Sequence, residues 1–413
     1  MSVEPTVSKW NQGFMYRKLG ANERLTWSYQ QIRPMPFVIT ANIIGAFQLG
    51  ELQQALVKSQ QRHPLLNMQI VLDKYEIPWF KKDSVQIPVR VVERLNAEQW
   101  QREVERELSD PFDWNQAPLV RVVLLQGENI SDLIITCDHA IADGKSAVFL
   151  LRDILQAIGM LDQPLPALLP QESYEQMVSQ CVENYPISFE PSLSTIYVKP
   201  KLPENSRPRL QAWSLSKSET LSIINRCKKA RTSVHSTICA AFLLATAALS
   251  TPINTLKCLS PVDIRRFISI DDDFGYYFVA VTTNHDVTPD TSLWDLAYSV
   301  KVQLNQKTAP KEVFAHLPGL EAFMSASPRH EDVVAMMEAV NDNDILVSNL
   351  GQLTIPQHYG ELQLTAVYGP ALTGHIKQDL VVGVATLGDL MSLTLVYLES
   401  DISHSEEIGR AHV

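Results

Sequence analysis

The chain has 413 residues, 45% of them hydrophobic and 20% charged, and a formal net charge of −11. That length exceeds one ordinary hydrophobic core and implies two units, and the composition is that of a globular protein. The acidic balance argues against a broad nucleic-acid or anionic-membrane surface, though it leaves room for a local basic patch. Five cysteines, Cys137, Cys181, Cys227, Cys239 and Cys258, are widely spaced without a C-x-x-C. They fit a reducing, cytoplasmic setting rather than a disulfide frame. No charged, apolar leader opens the sequence and no apolar run reaches about eighteen residues, so neither a secretion signal nor a spanning helix is expected.

In chain order, FVITANIIGAFQLG (37–50) reads as a strand stopping at Gly50. GELQQALVKSQQRHP follows as an amphipathic helix, with Leu52, Ala55 and Leu56 on one side and Pro64 at its end. LLNMQIVL and IPVRVVE read as strands, and NAEQWQREVERELSDPF as a helix capped by Asn96. Two apolar runs joined by Gln126-Gly127-Glu128-Asn129 signal a hairpin whose second strand runs into DHAIADG, before the helical pattern KSAVFLLRDILQAIG. Residues 161–208 are rich in proline and read as a crossover, with room for a short helix inside it, between a first unit (1–160) and a second (209–406).

The second unit opens on the strand LQAWSLS, followed by the helices SETLSIINRCKKA and SVHSTICAAFLLATAAL. NTLKCLSPVDIRRF reads as a strand entering a polar loop, and GYYFVAVTTNHD as another strand. A helical stretch then runs to Val340, and DILVSNLG, ELQLTAVYG, DLVVGVATLG and LMSLTLVYL close as strands. The order is α+β without clean βα alternation, which disfavours a doubly wound parallel fold. The last residues, EIGRAHV (407–413), read like an adapter oligonucleotide translated in frame; they are expected to be non-native and are given no function.

Several chemistries fail on their motifs. Gly144-Lys145-Ser146 resembles the end of a phosphate loop, but His139 stands where that loop needs glycine. G-x-S-x-G, H-E-x-x-H and G-x-G-x-x-G are absent, and no second histidine pair has metal-ligand spacing. His139 remains. Among ten histidines an H-x-x-x-D match is weak alone. Two readings compete: Asp143 caps the helix at Gly144 with His139 incidental, or His139 is a general base on a loop.

The segments DHAIADG, SPVDIRRF (260–267), DFGYYFVAV (273–281) and VSNLG (347–351), with LGELQQALVKSQQRHPLLNMQI near the start, together resemble the coenzyme-A-dependent acyltransferase superfamily. That group includes nonribosomal peptide condensation domains, the plant H-x-x-x-D acyltransferases, the fungal alcohol acetyltransferases and the polyketide-associated mycobacterial acyltransferases. The resemblance runs from about Arg17 to Leu398. It implies two chloramphenicol-acetyltransferase-like α/β sandwiches with a tunnel between them. It also implies that His139 is the general base and that Asp143 is structural, pairing with Arg265, or with its neighbour Arg266. Gly144 matches the glycine of the tight turn into the helix. Asp273, Phe274 and Gly275 match D-F-G of the plant enzymes, with Tyr276 and Tyr277 replacing the tryptophan and last glycine; this block is expected to be remote from the chemistry. Asp138 stands where condensation domains have a first histidine, which favours ester over peptide-bond formation. If its carboxylate faces the ring it raises the histidine pKa; on opposite strand faces the effect vanishes.

The implied reaction moves an acyl group from acyl-CoA or an acyl carrier protein to a hydroxyl, with the phosphopantetheine arm as co-substrate and no resident cofactor. Ser348 and Asn349 are candidates for an oxyanion contact or simply for a strand end, and Tyr276, Tyr277 and His375 for tunnel lining or simply for packing. Lys199, Lys201, Arg207 and Arg209 are candidates for a carrier-protein patch or for a solvated linker. A monomer without nucleic-acid partners is expected. The rivals are amide-forming condensation and an inactive carrier-binding module.

Overall fold

The computed structural model describes residues 15–181, 207–249, 255–373 and 380–399. No helix among them is long and apolar enough to cross a membrane. The first part of the chain forms β1 (Met15–Lys18), α1 (Ala21–Gln30), β2 (Phe37–Ile44), α2 (Leu49–Arg62), β3 (Met68–Leu72), β4 (Pro78–Lys82) and β5 (Val89–Glu93). Then come α3 (Gln99–Leu108), β6 (Val120–Gln126), β7 (Ile130–Cys137), α4 (Gly144–Gly159) and α5 (Tyr174–Cys181).

The second part forms β8 (Pro208–Leu215), α6 (Lys217–Lys229), α7 (Val234–Leu249), β9 (Thr255–Asp263), α8 (Arg265–Ile268) and β10 (Phe278–Asp286). Four helices follow, α9 (Leu293–Lys307), α10 (Pro310–Val313), α11 (Leu317–Ser325) and α12 (His330–Val340). The strands β11 (Ile345–Leu353), β12 (His358–Tyr359), β13 (Leu362–Leu372), β14 (Leu380–Leu387) and β15 (Leu390–Leu398) complete the order.

Two six-stranded sheets centre the two halves, as the α+β reading expects: β12-β13-β2-β7-β6-β5 and β10-β9-β11-β14-β15-β8. A small third sheet, β1-β4-β3, was not anticipated. β7 lies between β2 and β6, and its residues from Ser131 to Cys137 are all buried. Burial on both faces explains why it reads as a continuous apolar run instead of alternating. α4 covers this sheet with Ala147, Val148, Leu150, Leu151, Ile154 and Leu155. In the second half, α7 and α9 bury Cys239, Ala240, Leu243, Leu296 and Val300 in one cluster with Cys258, Val347 and Val382 of the sheet.

The hairpin β12–β13 comes from late in the chain yet pairs with β2: Leu372 stands opposite Phe37 and Gln363 opposite Ile44. Residues 209–406 thus contribute two strands to the first sheet. Gly383 lets the sheets approach here, because an added Cβ would lie 2.3 Å from the Pro370 carbonyl oxygen. Cys137, Cys227, Cys239 and Cys258 are buried free thiols. Asn96 does not cap α3. Its Oδ1 accepts from Glu98 N at 3.0 Å in a local turn, and the helix starts at Gln99. Residues 407–413 lie outside the described residues, as do most of the crossover and His375, Lys199 and Lys201.

Candidate active site

The loop 138–143 leaves the centre of the first sheet and enters α4. Asp143 is the N-cap of α4, accepting from Ser146 N at 2.8 Å. It also receives a two-pronged bond from Arg265, Nη1 to Oδ2 at 2.8 Å and Nη2 to Oδ1 at 3.0 Å, and Tyr277 N donates to Oδ2 at 3.0 Å. Cap and ion pair are therefore both real. Burial alone would raise the Asp143 carboxyl; the Arg265 charge and hydrogen bonds outweigh it and hold the group below its ordinary range. Arg265 also binds Asp263 Oδ1 at 2.9 Å and Ser146 Oγ at 2.9 Å, and its guanidinium lies 4.8 Å from the Tyr277 ring centre. Arg266 is exposed and stacks on Phe267, so Arg265 is the partner.

The Gly144 requirement is steric. A Cβ there would meet Pro370 Cγ at 2.7 Å and Leu350 Cδ2 at 2.9 Å, so the helix start is pressed against β13 and β11.

His139 Nδ1 lies 2.9 Å from the Ala142 carbonyl oxygen. A carbonyl only accepts, so Nδ1 carries the proton and Nε2 carries the lone pair. Phe37, Phe278 and Tyr276 surround the imidazole, with ring centres at 4.6, 5.2 and 6.2 Å. Burial lowers its pKa, against the raising effects of the Ala142 bond and the Asp143 charge. Asp138 does not act on the ring: its Oδ1 takes Gln30 Nε2 at 2.9 Å and Ala140 N at 2.8 Å. Burial pushes the Asp138 carboxyl up.

His139 opens on a cavity of about 1330 Å³ between the halves. One wall comes from α1 and β2 (Asn22, Thr26, Tyr29, Phe37) and the facing wall from β10, β11, α11 and α12. Much of that second wall is apolar, with Val281, Leu320, Phe323, Met336, Met337 and Leu346. At one edge Lys145 pairs with Asp263 at 2.8 Å; at another, the exposed Gln306, Lys307 and Glu312 line the cavity.

The 273–277 block is not remote. Ser146 Oγ bonds the Gly275 carbonyl at 2.8 Å, Tyr276 lines the cavity beside His139, and Tyr277 serves Asp143 and Arg265 instead of the cavity. D-F-G is an architectural mark in the plant enzymes, whereas here the chain turns back from α8 directly onto the loop. Ser348 and Asn349 both line the cavity, and Asn349 Oδ1 accepts from Gly351 N at 2.7 Å. Arg209 is committed to Glu399 at 2.8 Å and Glu105 at 3.4 Å. Asn22, Thr26 and the α11–α12 residues went unread as site residues. Nothing in their local sequence marks a site.

Two family models match the sequence: the condensation domain over residues 34–183, and the C-terminus of phthiocerol/phthiodiolone dimycocerosyl transferase over residues 204–381. Between them the two models match both halves of the chain, which in sequence and in fold is similar to condensation-domain-like, coenzyme-A-dependent acyltransferases. Polyketide synthase associated protein 5 from Mycobacterium tuberculosis superposes with a TM-score of 0.66 at 15% identity, with 96% of each chain covered. The first condensation domain of the CDA synthetase gives 0.70 at 14%, covering 96% of this chain and 93% of its own. The trichothecene 15-O-acetyltransferase from Fusarium sporotrichioides gives 0.64 at 13%, with 96% and 93% covered. At these identities the likeness is one of fold. No curated protein matches the sequence significantly.

Proposed function

We propose that this protein transfers an acyl group from a thioester, carried by coenzyme A or an acyl carrier protein, to a hydroxyl of a small-molecule, lipid or polyketide acceptor. The observation that carries this reading is the His139 ring: Nδ1 is held on Ala142, burial keeps the imidazole neutral, and the ring lines the cavity.

His139 Nε2 takes the proton of the acceptor hydroxyl as its oxygen bonds to the thioester carbon, a contribution of about 10²–10⁴-fold. The carbonyl electrons move onto oxygen, where Ser348 or Asn349 supplies a donor. Collapse breaks the C–S bond, and the imidazolium returns its proton to the leaving thiolate. No acyl-enzyme is required. The Asp143–Arg265 pair fixes the loop without touching the ring's Nδ1. The cavity exceeds the roughly 300–1,000 Å³ of an ordinary ligand pocket, which suits two reactants held together.

The condensation-domain match over the first half favours a second reading, amide formation on carrier-bound substrates. Incubation with acyl-CoA and a panel of alcohols and amines, followed by mass spectrometry, separates the two. Ester is expected; amide product transfers the proposal to condensation, and absence of any product with every donor removes the transferase reading.

A further inference from the structure

We propose that Asn22 anchors the substrate. Its side-chain carbonyl, held in orientation by Tyr174 and Glu175 of the crossover, accepts a hydrogen bond from an N–H or O–H group other than the reacting hydroxyl. This deepens the acyl-transfer reading and rests on it for the name of the substrate.

Asn22 is 6% exposed and lines the cavity. Glu175 Oε1 accepts from the Asn22 backbone N at 2.7 Å and from Asn22 Nδ2 at 2.8 Å. Nδ2 also donates to Tyr174 Oη at 2.5 Å. An oxygen that already accepts from a backbone N–H can take only a donor from the amide beside it. The rotamer is thereby decided, with nitrogen toward α5 and oxygen away from it. Both Nδ2 protons are used. Oδ1 accepts no hydrogen bond among the described residues, yet it is not among their sealed, unpartnered polar atoms. The accessible space beside this buried residue is the cavity that it lines.

The support around that side chain is close. Gly20 has no side chain where a Cβ would strike Glu175 Oε2 at 2.4 Å, so α5 comes close enough for both bonds. Glu23, the other buried carboxylate here, is occupied by Arg17, whose Nη2 lies 2.7 Å from Oε1, and by Gly20 N at 2.7 Å. Tyr174 stacks on Tyr276, ring centres 6.3 Å apart and planes within 7°, and Tyr276 stands 6.2 Å from the His139 ring. A buried acceptor that the protein leaves unpaired favours a ligand bringing a donor and disfavours one that does not.

Two sources could bring that donor, an amide of the pantetheine arm or a second hydroxyl on the acceptor. Binding to the full-length protein is measured by calorimetry for two pairs of probes. The first is S-octyl pantetheine against its analogue with both amide N–H groups replaced by oxygen. The second is a nonane diol against nonanol. The native protein is expected to prefer the donor-bearing member of one pair by about tenfold, the worth of one buried hydrogen bond, and the responding pair names the source. Asn22→Ala abolishes that preference while leaving the donor-lacking member within about twofold. Asn22→Ser, which keeps a donor toward Glu175, is expected to do the same and replaces Asn22→Ala if that variant does not fold. Equal weakening of both members, or no preference in either pair, overturns the proposal. These readouts need no turnover, so they stand apart from the product assay.

Discussion

Asp138 and Asp143 stand at the two ends of the loop that carries His139, and both are buried. Asp143 receives a guanidinium, two backbone amides and a helix start; Asp138 receives a glutamine amide and one backbone N–H. Burial raises both carboxyls, but only Asp143 has a positive charge in contact to reverse the shift. The difference separates two tasks. A carboxylate kept ionised ties the loop to the second half of the chain, while one with no positive charge in contact serves as a local turn former on the first half.

The largest effect that sharpens this contrast lies between the two residues. His139→Ala is expected to lower turnover by about 10²–10⁴-fold with the melting temperature little changed, read by steady-state kinetics and calorimetry. A base whose pKa lies under the ordinary 6.5 stays neutral to lower pH. The acid limb of kcat/KM is therefore expected below that value, with full activity at neutral pH; a limb at or above 6.5 contradicts the lowered pKa.

Next in size, Arg265→Ala leaves the buried Asp143 carboxylate without its counter-charge and is expected to cost about 3–5 kcal/mol in urea denaturation, and Asp143→Ala less, because Arg265 keeps Asp263. Arg266→Ala is expected to change stability by less than about 0.5 kcal/mol. Equal effects at the two arginines would break the assignment of the pair. Gly144→Ala forces a methyl against Pro370 and Leu350 and is expected to cost about 1–3 kcal/mol by overpacking.

The smallest effect tests the other aspartate. Asp143, with its pKa depressed, contributes stability that is present above the ordinary carboxylate range and lost as pH falls through its folded value. Asp138, with its pKa raised, contributes in the opposite sense: its share is full in acid and lost as pH rises through its folded value. Asp138→Asn retains an acceptor oxygen without a charge. It is expected to equal or exceed the native protein at neutral pH, by on the order of 1 kcal/mol, and to lose that advantage in acid. Urea midpoints across a pH series check both signs.

The loop was legible because its parts are local: a buried strand, a capping aspartate and a helix with apolar spacing follow one another within a short stretch. Arg265 was reachable through the resemblance, since nothing in local spacing joins it to Asp143 across the chain. Asn22 and Glu175 carried no such mark. The polar face of α1 hides its packing against α11 and α12, where Leu25 and Tyr29 meet Leu320, Met324 and Val333. Tyr174 and Glu175 lie in the proline-rich crossover, whose texture signals a linker with at most a short helix and no site. The pairing of β13 with β2 was likewise invisible, because periodicity describes a strand's faces and not its neighbour.

That pairing bears on how the protein comes apart. With β12–β13 removed, β2 would present a long bare row of amides and carbonyls, an edge prone to pairing with other chains. The first half cannot finish its own sheet until the later strands have been synthesised and threaded back to it. Completion of the first sheet therefore waits on the second half of the polypeptide, and the strap ties the two halves together.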